Sequence, residues 1–257
     1  MTLNPIREFG LKAVLWLPLC FVLWFVFAPY LVWPAMLIAK HVLLGFWGDL
    51  FASVHLGGEL HDASGRIIAR AGYLVSLGSV PVMIPGAAGG AGNPGVLEPT
   101  VNPLIYGYAL PLFAGLAMAT PVSTRRRCAQ FALALVVIWV AQAFGIVAEG
   151  LKALAFDSGT AGAGLVARAG LAPDAIALAY QFGYLILPAV VPVALWIGLN
   201  REFIETLIRR DGEPQGGNRG QSVTRESVER GMAPAEGDIP ARSGAPSATD
   251  CDRRRSR

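Results

Sequence analysis

Charge is scarce in this chain. Only 15% of its 257 residues are Asp, Glu, Lys or Arg, where a soluble domain of this length carries about a quarter. That deficit argues against a surface bathed in water all round. Cysteine is scarce too: Cys20 lies inside an apolar segment, Cys128 at the edge of another, and Cys251 in a polar tail. Such a set makes no disulfide framework. Three histidines leave few ways to build a catalytic or metal-binding constellation. The chain also lacks a repeat of fixed period, a Gly-rich phosphate loop and any nucleic-acid motif. Neither a cofactor nor a nucleic-acid partner is expected.

What remains is apolar. Hydrophobic residues make up 54% of the chain, the mean hydropathy is +0.50, and the excess is gathered into runs. An ordinary spanning helix needs about 20 mostly apolar residues. The stretches 11–33, 104–120, 128–148 and 175–199 meet or approach that length, so the lipid bilayer is the first expected partner. The first run is too long for a signal peptide and lacks the small-residue cleavage site, so it is expected to remain as an anchor. Pro18, Pro111, Pro188 and Pro192 lie within these runs. Each removes a backbone donor and invites a kink, which neighbouring helices accommodate in a membrane bundle.

Positive charge orients the chain. Arg7 and Lys12 precede or open the first run, Arg125, Arg126 and Arg127 fill the turn before the third, and Arg201, Arg209 and Arg210 follow the fourth. With these in the cytoplasm, both termini lie inside and residues 34–102 and 149–174 face outward. The expected fold is an all-α membrane bundle of about four transmembrane helices with a small extracytoplasmic β element and a disordered C-terminal tail. Residues 1–33 form the N-terminal tail and first span, 34–102 the extracytoplasmic segment, 103–200 three further spans, and 201–257 a cytoplasmic, largely disordered tail.

Within the outer segment, residues 33–51 either extend the first helix beyond the membrane or lie along its interface, with Trp33, Phe46 and Trp47 at headgroup level. Next come "LFASVHL" and "RIIARAGYLVSL", separated by "GGELHDASG". The glycine pairs are turn signals and the β-branched and aromatic residues favour strands, so a hairpin is expected. "IPGAAGGAGNPGVLEP" (84–99) reads as a mobile loop. Beyond Leu199, "REFIETLIRR" reads as a short amphipathic helix with Phe203, Ile204, Leu207 and Ile208 on one side. The polar, Gly/Pro/Ser-rich remainder cannot bury enough apolar surface to order itself.

Chemistry has few places to reside. His55, Glu59, His61 and Asp62 form the most metal-like cluster, but their spacing matches no metal motif. Cys20 is surrounded by apolar residues that disfavour thiolate, and Cys128 has no histidine on its side of the membrane. Glu149 and Lys152, three apart, can pair across one turn and are expected to anchor at the outer interface, with a proton path as the alternative. Gln142 and Gln181 are the candidates for hydrogen bonding in the bundle interior. Two amides make a poor ion pathway, so a small transporter or channel component stands as the alternative reading.

The stretch "VNPLIYGYALPLF" (101–113) is the candidate partner surface. Asn102 and Pro103 read as a helix start, and Tyr106 and Tyr108 as interfacial aromatics. Gly107 leaves room for another backbone, and Pro111 bends the helix. Nothing in it acts as nucleophile or base. Two fillings fit this surface: the protein's own spans, or another membrane protein.

That stretch, together with "NPIREFGLKAVLWLPLCFVLWFVFAPYLVWP", resembles the exosortase H-associated membrane proteins over roughly residues 4–200. These are small multi-span bacterial proteins encoded beside an exosortase, a membrane enzyme that processes C-terminal sorting signals. The resemblance implies a non-enzymatic accessory protein of the bacterial inner membrane, supporting a membrane-embedded exosortase or its substrate. Exosortases rely on a cysteine, an arginine and a histidine in membrane context. No such constellation is found in this sequence, so no catalytic residue carries over.

Overall fold

A computed structural model describes residues 5–61, 66–84 and 92–211. Most of the expected mobile loop and nearly all of the expected disordered tail fall outside these residues, as does Asp62.

Two helices, α1 (Pro5–Val26) and α2 (Ala28–Phe46), are separated by Phe27 alone. The Phe27 amide bonds Leu23 O at 3.0 Å, and the Leu31 amide bonds Phe27 O at 3.1 Å, so hydrogen bonding runs through the break. Pro29, which has no amide hydrogen to donate, opens the break at the start of α2. At 1.5 Å per residue the pair spans about 60 Å, twice the hydrocarbon thickness of a bilayer. Residues 28–46 therefore extend the first helix, one of the two arrangements the sequence allowed. Leu11, Val14 and Leu15 on α1 stay largely exposed, which is ordinary against lipid and an aggregation hazard in water. α2 differs, burying Val32, Ala35, Ala39 and Leu43 at helical spacing.

That buried stripe rests on a sheet. β1 (Phe51–His61) and β2 (Ile67–Ser79) pair antiparallel, with Val54 opposite Leu77 and Leu56 opposite Val75. A short β5 (Thr100–Val101) adds to the other edge of β2. β3 (Val82–Ile84) and β4 (Asn93–Gly95) form a separate two-stranded ladder. The expected hairpin is present, but Gly57–Gly58 is not its turn. The strand continues to His61 through an irregularity between Leu56 and Gly58, where Gly57 adopts φ +90. The glycine provides the backbone freedom for a bulge.

The remaining helices are α3 (Leu104–Gly107), α4 (Ala109–Ala119), α5 (Thr124–Lys152), α6 (Gly159–Arg168), α7 (Pro173–Gln181), α8 (Leu187–Leu199) and α9 (Arg201–Asp211). A π-helical turn, Ala153–Asp157, ends α5, and another, Phe182–Ile186, joins α7 to α8. Ser123 caps α5 by accepting from the Arg126 amide. α9 presents Phe203, Ile204 and Leu207 partly buried, while Ile208 is exposed.

Two cores follow. In the bundle, α1 packs along α4, and α4, α5 and α8 pack together around Ala109, Phe113, Ala117, Ala134 and Ile138. Beyond it lies a second layer built from α2, the sheet, the last turns of α5, α6 and α7. Its core includes Leu43, Phe51, Val75, Leu77, Ile146, Leu154 and Val166. α5 runs through both layers.

Four helices among the described residues are long and apolar enough to cross a membrane: Ile6–Val26, Ala28–Phe46, Thr124–Asp157 and Pro173–Leu199. These overlap the expected first, third and fourth spans. The expected second span, 104–120, forms the shorter apolar stretch Leu104–Ala119, interrupted between α3 and α4. The mostly helical chain is a membrane protein carrying a small antiparallel sheet.

Candidate functional site

The six residues expected to form a partner surface lie where α3 meets the rest of the chain. Asn102 is half-buried, and its Oδ1 accepts from the Leu104 amide at 3.2 Å, a local cap for the helix start. The buried Pro103 accepts a 3.0 Å hydrogen bond from Gln142 Nε2 through its carbonyl. Tyr106 is only 2% exposed, and a Cβ added to Gly145 would run into its ring. At Gly107, an added Cβ would come within 2.7 Å of Gln142 Nε2 and 3.3 Å of Trp24. The close approach that glycine permits is thus used by this chain's own α1 and α5. Tyr108 is half-buried and Pro111 buried.

Pro111 also lines a wholly apolar groove of about 310 Å³, together with Cys20, Trp24, Leu110, Ala114 and Phe131. The groove contains no titratable partner for Cys20. Cys128 is exposed.

In the sheet, His55 lies opposite Ser76, and Glu59 opposite Arg70. Glu59 Oε1 meets Arg70 Nη2 at 2.6 Å. Among the described residues no group of three His, Cys, Asp or Glu side chains converges as metal ligands would. Glu59, expected in a turn, sits on β1.

Gln142 is buried and bonded as expected of an interior amide, but Gln181 is exposed. The interior amides that sequence reasoning missed are Gln130 and Asn200. Gln130 is 4% exposed, and its Nε2 donates to Asn200 Oδ1 at 2.9 Å and to Leu199 O at 3.2 Å. Beside it, Arg126 reaches Glu202 at 3.0 Å and Leu199 O at 3.2 Å, while Arg127 donates to Thr120 O at 3.0 Å. Trp196 Nε1 donates to Thr120 Oγ1 at 2.9 Å. Gln130, Arg126 and Arg127 thus occupy carbonyls that helix ends leave without intrahelical donors. The arginines that signalled orientation in the sequence therefore also tie α4, α5 and α8 together.

At the other end of the bundle, the Glu149–Lys152 pair that helical spacing allows is replaced. Lys152 Nζ bonds Asp157 Oδ2 at 2.7 Å and lies 5.6 Å from the centre of the Tyr180 ring. The π-helical turn carries Asp157 back within reach of Lys152, which a spacing rule for regular helix did not foresee. The Tyr106 hydroxyl faces the Glu149 carboxylate, yet neither Tyr106 Oη nor Glu149 Oε2 has a well-formed hydrogen bond. Tyr184 meets Tyr106 edge-on at 6.5 Å and stacks on Tyr180 at 5.7 Å.

No curated protein and no solved structure matches the chain. The groove, the helix-end clamp and the tyrosine cluster all fall within residues 3–203, which match the family model described as exosortase H-associated membrane protein, and the chain belongs to that family.

Proposed function

We propose that this protein is a non-enzymatic accessory of an exosortase sorting system, holding the enzyme or its substrate in the bacterial inner membrane. The observation that carries this reading is the family match over residues 3–203. The use of the polar side chains supports it. Gln130, Gln142, Arg126 and Arg127 each bond a backbone carbonyl of a neighbouring segment, so they fasten helices together rather than line an ion path. The partner surface at residues 102–111 is reached through Asn102 and Tyr108, its partly exposed members. Pro103, Tyr106, Gly107 and Pro111 support it from within.

Both termini are cytoplasmic in this proposal. The three basic sites lie at one end of the bundle, where Phe9 stacks on Trp196 at 5.5 Å and Arg126 pairs with Glu202. The sheet layer lies toward the other end of α5. In a background lacking the native cysteines, a cysteine at Ser64 should react with an impermeant maleimide in intact spheroplasts, and one at Ser227 should not. Reversal of that pattern refutes the orientation.

The functional test is co-purification. The tagged chain, extracted in mild detergent from cells expressing the exosortase of the same genome, should bring the enzyme with it. Repeated absence of the enzyme, with sorting undisturbed in a deletion strain, overturns the accessory role.

A further inference from the structure

Where α5 leaves the bundle, Tyr106, Glu149, Lys152, Asp157, Tyr180 and Tyr184 gather into a notch. Tyr106 forms its buried floor, while Tyr184 and Asp157 stand exposed at its mouth. We propose that this notch receives a cationic side chain, a guanidinium or ammonium, presented by a helix of the membrane partner. The proposal rests on the accessory reading above and names the chemistry of that contact.

The notch has a carboxyl group that no cation of this chain pairs with directly. Lys152, one turn from Glu149, is held by Asp157 at 2.7 Å and covers Tyr180. Glu149 Oε2 is buried with only the Tyr106 hydroxyl facing it, outside good hydrogen-bond geometry, an arrangement that is costly unless a better partner arrives. Tyr106 Oη is likewise buried and without a hydrogen bond. A guanidinium carries five donors in a planar fork, enough to serve both oxygens.

The walls suit the same occupant. Tyr184 stands at 76° to Tyr106 and at 10° to Tyr180, giving ring faces and an edge around one carboxylate. Aromatic faces beside an anion are the usual means of recognising organic cations. Both π-helical turns border the notch, one supplying Asp157 and the other Tyr184. Such turns are rare irregularities that recur at functional sites.

The direction of approach separates a protein partner from a lipid amine. Lys152 and Asp157 lie farther from the bundle core along α5 than Glu149 does. An ethanolamine headgroup carries its ammonium beyond its phosphate. Placing that ammonium at Glu149 would press the phosphate deeper, against apolar side chains. A side chain from a neighbouring helix arrives sideways and meets no such conflict.

The test uses the full-length chain purified in detergent and n-butylguanidinium as the probe, with thermal unfolding and tyrosine difference absorbance as readouts. The unaltered chain should show a saturable rise in melting temperature. Glu149→Gln should bind the probe at least about tenfold more weakly, as loss of a charged hydrogen bond implies. Tyr180→Leu, which keeps the carboxylate, should also weaken binding. No shift in the unaltered chain, or equal shifts in all three proteins, overturns the proposal. A Glu149-dependent stabilisation by nanodiscs containing phosphatidylethanolamine, absent in phosphatidylglycerol alone and insensitive to the probe, assigns the notch to lipid and also overturns it. In co-purification, Glu149→Gln at normal abundance should lower exosortase recovery by at least about tenfold. Equal recovery with both proteins refutes the notch and leaves the accessory role standing. Absence of the enzyme from the unaltered chain refutes the accessory role, and the probe titration then decides the notch.

Discussion

Replacing Gly107 by leucine distinguishes an internal seam from an external docking face. In the structure, the first added carbon would lie 2.7 Å from Gln142 Nε2 and 3.3 Å from Trp24 Cζ2. The amide is the far end of a flexible side chain and can swing away, but doing so gives up its 3.0 Å bond to Pro103 O. Overpacking of a tight interior costs about 1–3 kcal/mol, and an interhelical hydrogen bond in a membrane contributes about 0.6–2 kcal/mol. Together Gly107→Leu should destabilise by about 2–5 kcal/mol. Gly107→Ala should be milder, because the amide alone has to move. The assay is the amount of folded protein in the membrane, the melting temperature in detergent and the recovered partner, measured on one preparation. Abundance and melting temperature should fall together with any loss of partner. Normal abundance and stability with the partner lost would refute the internal packing and place another protein at Gly107.

Gly145→Val should reduce folded protein at least as severely, since even a Cβ there collides with the Tyr106 ring; unchanged yield on a gel-filtration trace would contradict that packing. Gln130→Leu and Asn200→Leu, combined in a double-mutant cycle, should show a coupling of about 0.6–2 kcal/mol, and strict additivity would mean the 2.9 Å bond contributes nothing. Amide exchange should be slow over residues 74–79, which are buried and doubly bonded to β1 and to residues 97–99. Exchange there as fast as in an unstructured peptide would remove the sheet layer.

The bundle was legible in the sequence because its signals are long and redundant: apolar runs of spanning length and arginines at matching ends. Local chemistry at Asn102 was equally legible, since a cap depends only on near neighbours. The misplacements have specific physical causes. Gly57–Gly58 was taken for a turn because a glycine pair marks positive φ without saying whether a turn or a bulge uses it. Gln181 was assigned to the interior, but it directly precedes a π-helical turn, where the 3.6-residue phase no longer predicts which way a side chain faces. Regular helical spacing places Lys152 beside Glu149, and the π-helical turn that ends α5 gives Asp157 the contact instead. The sequence of residues 102–111 leaves both fillings open, and only tertiary structure could say that Trp24 and Gln142 stand against Gly107.

Helical phase along α5 held a signal that went unread. Gln130, Ala134, Ile138, Gln142, Gly145 and Glu149 recur every three or four residues, and all but the half-buried Glu149 are buried. One face of this helix therefore carries three polar groups at three heights, and each meets a different part of the chain. Gln130 fastens the end of α8, Gln142 fastens the start of α3, and Glu149 faces Tyr106 at the floor of the notch. Polar residues on a buried membrane-helix face are retained where a bond is made, because an unsatisfied amide in hydrocarbon is costly. The first two each donate through Nε2 to this chain's own backbone and side chains, although Gln130 Oε1 is itself buried without a partner. The third, at the level where α5 leaves the bundle, makes no well-formed bond to another helix and has only the Tyr106 hydroxyl facing it, and its acidic chemistry beside three tyrosines is why the proposed partner contact is placed there.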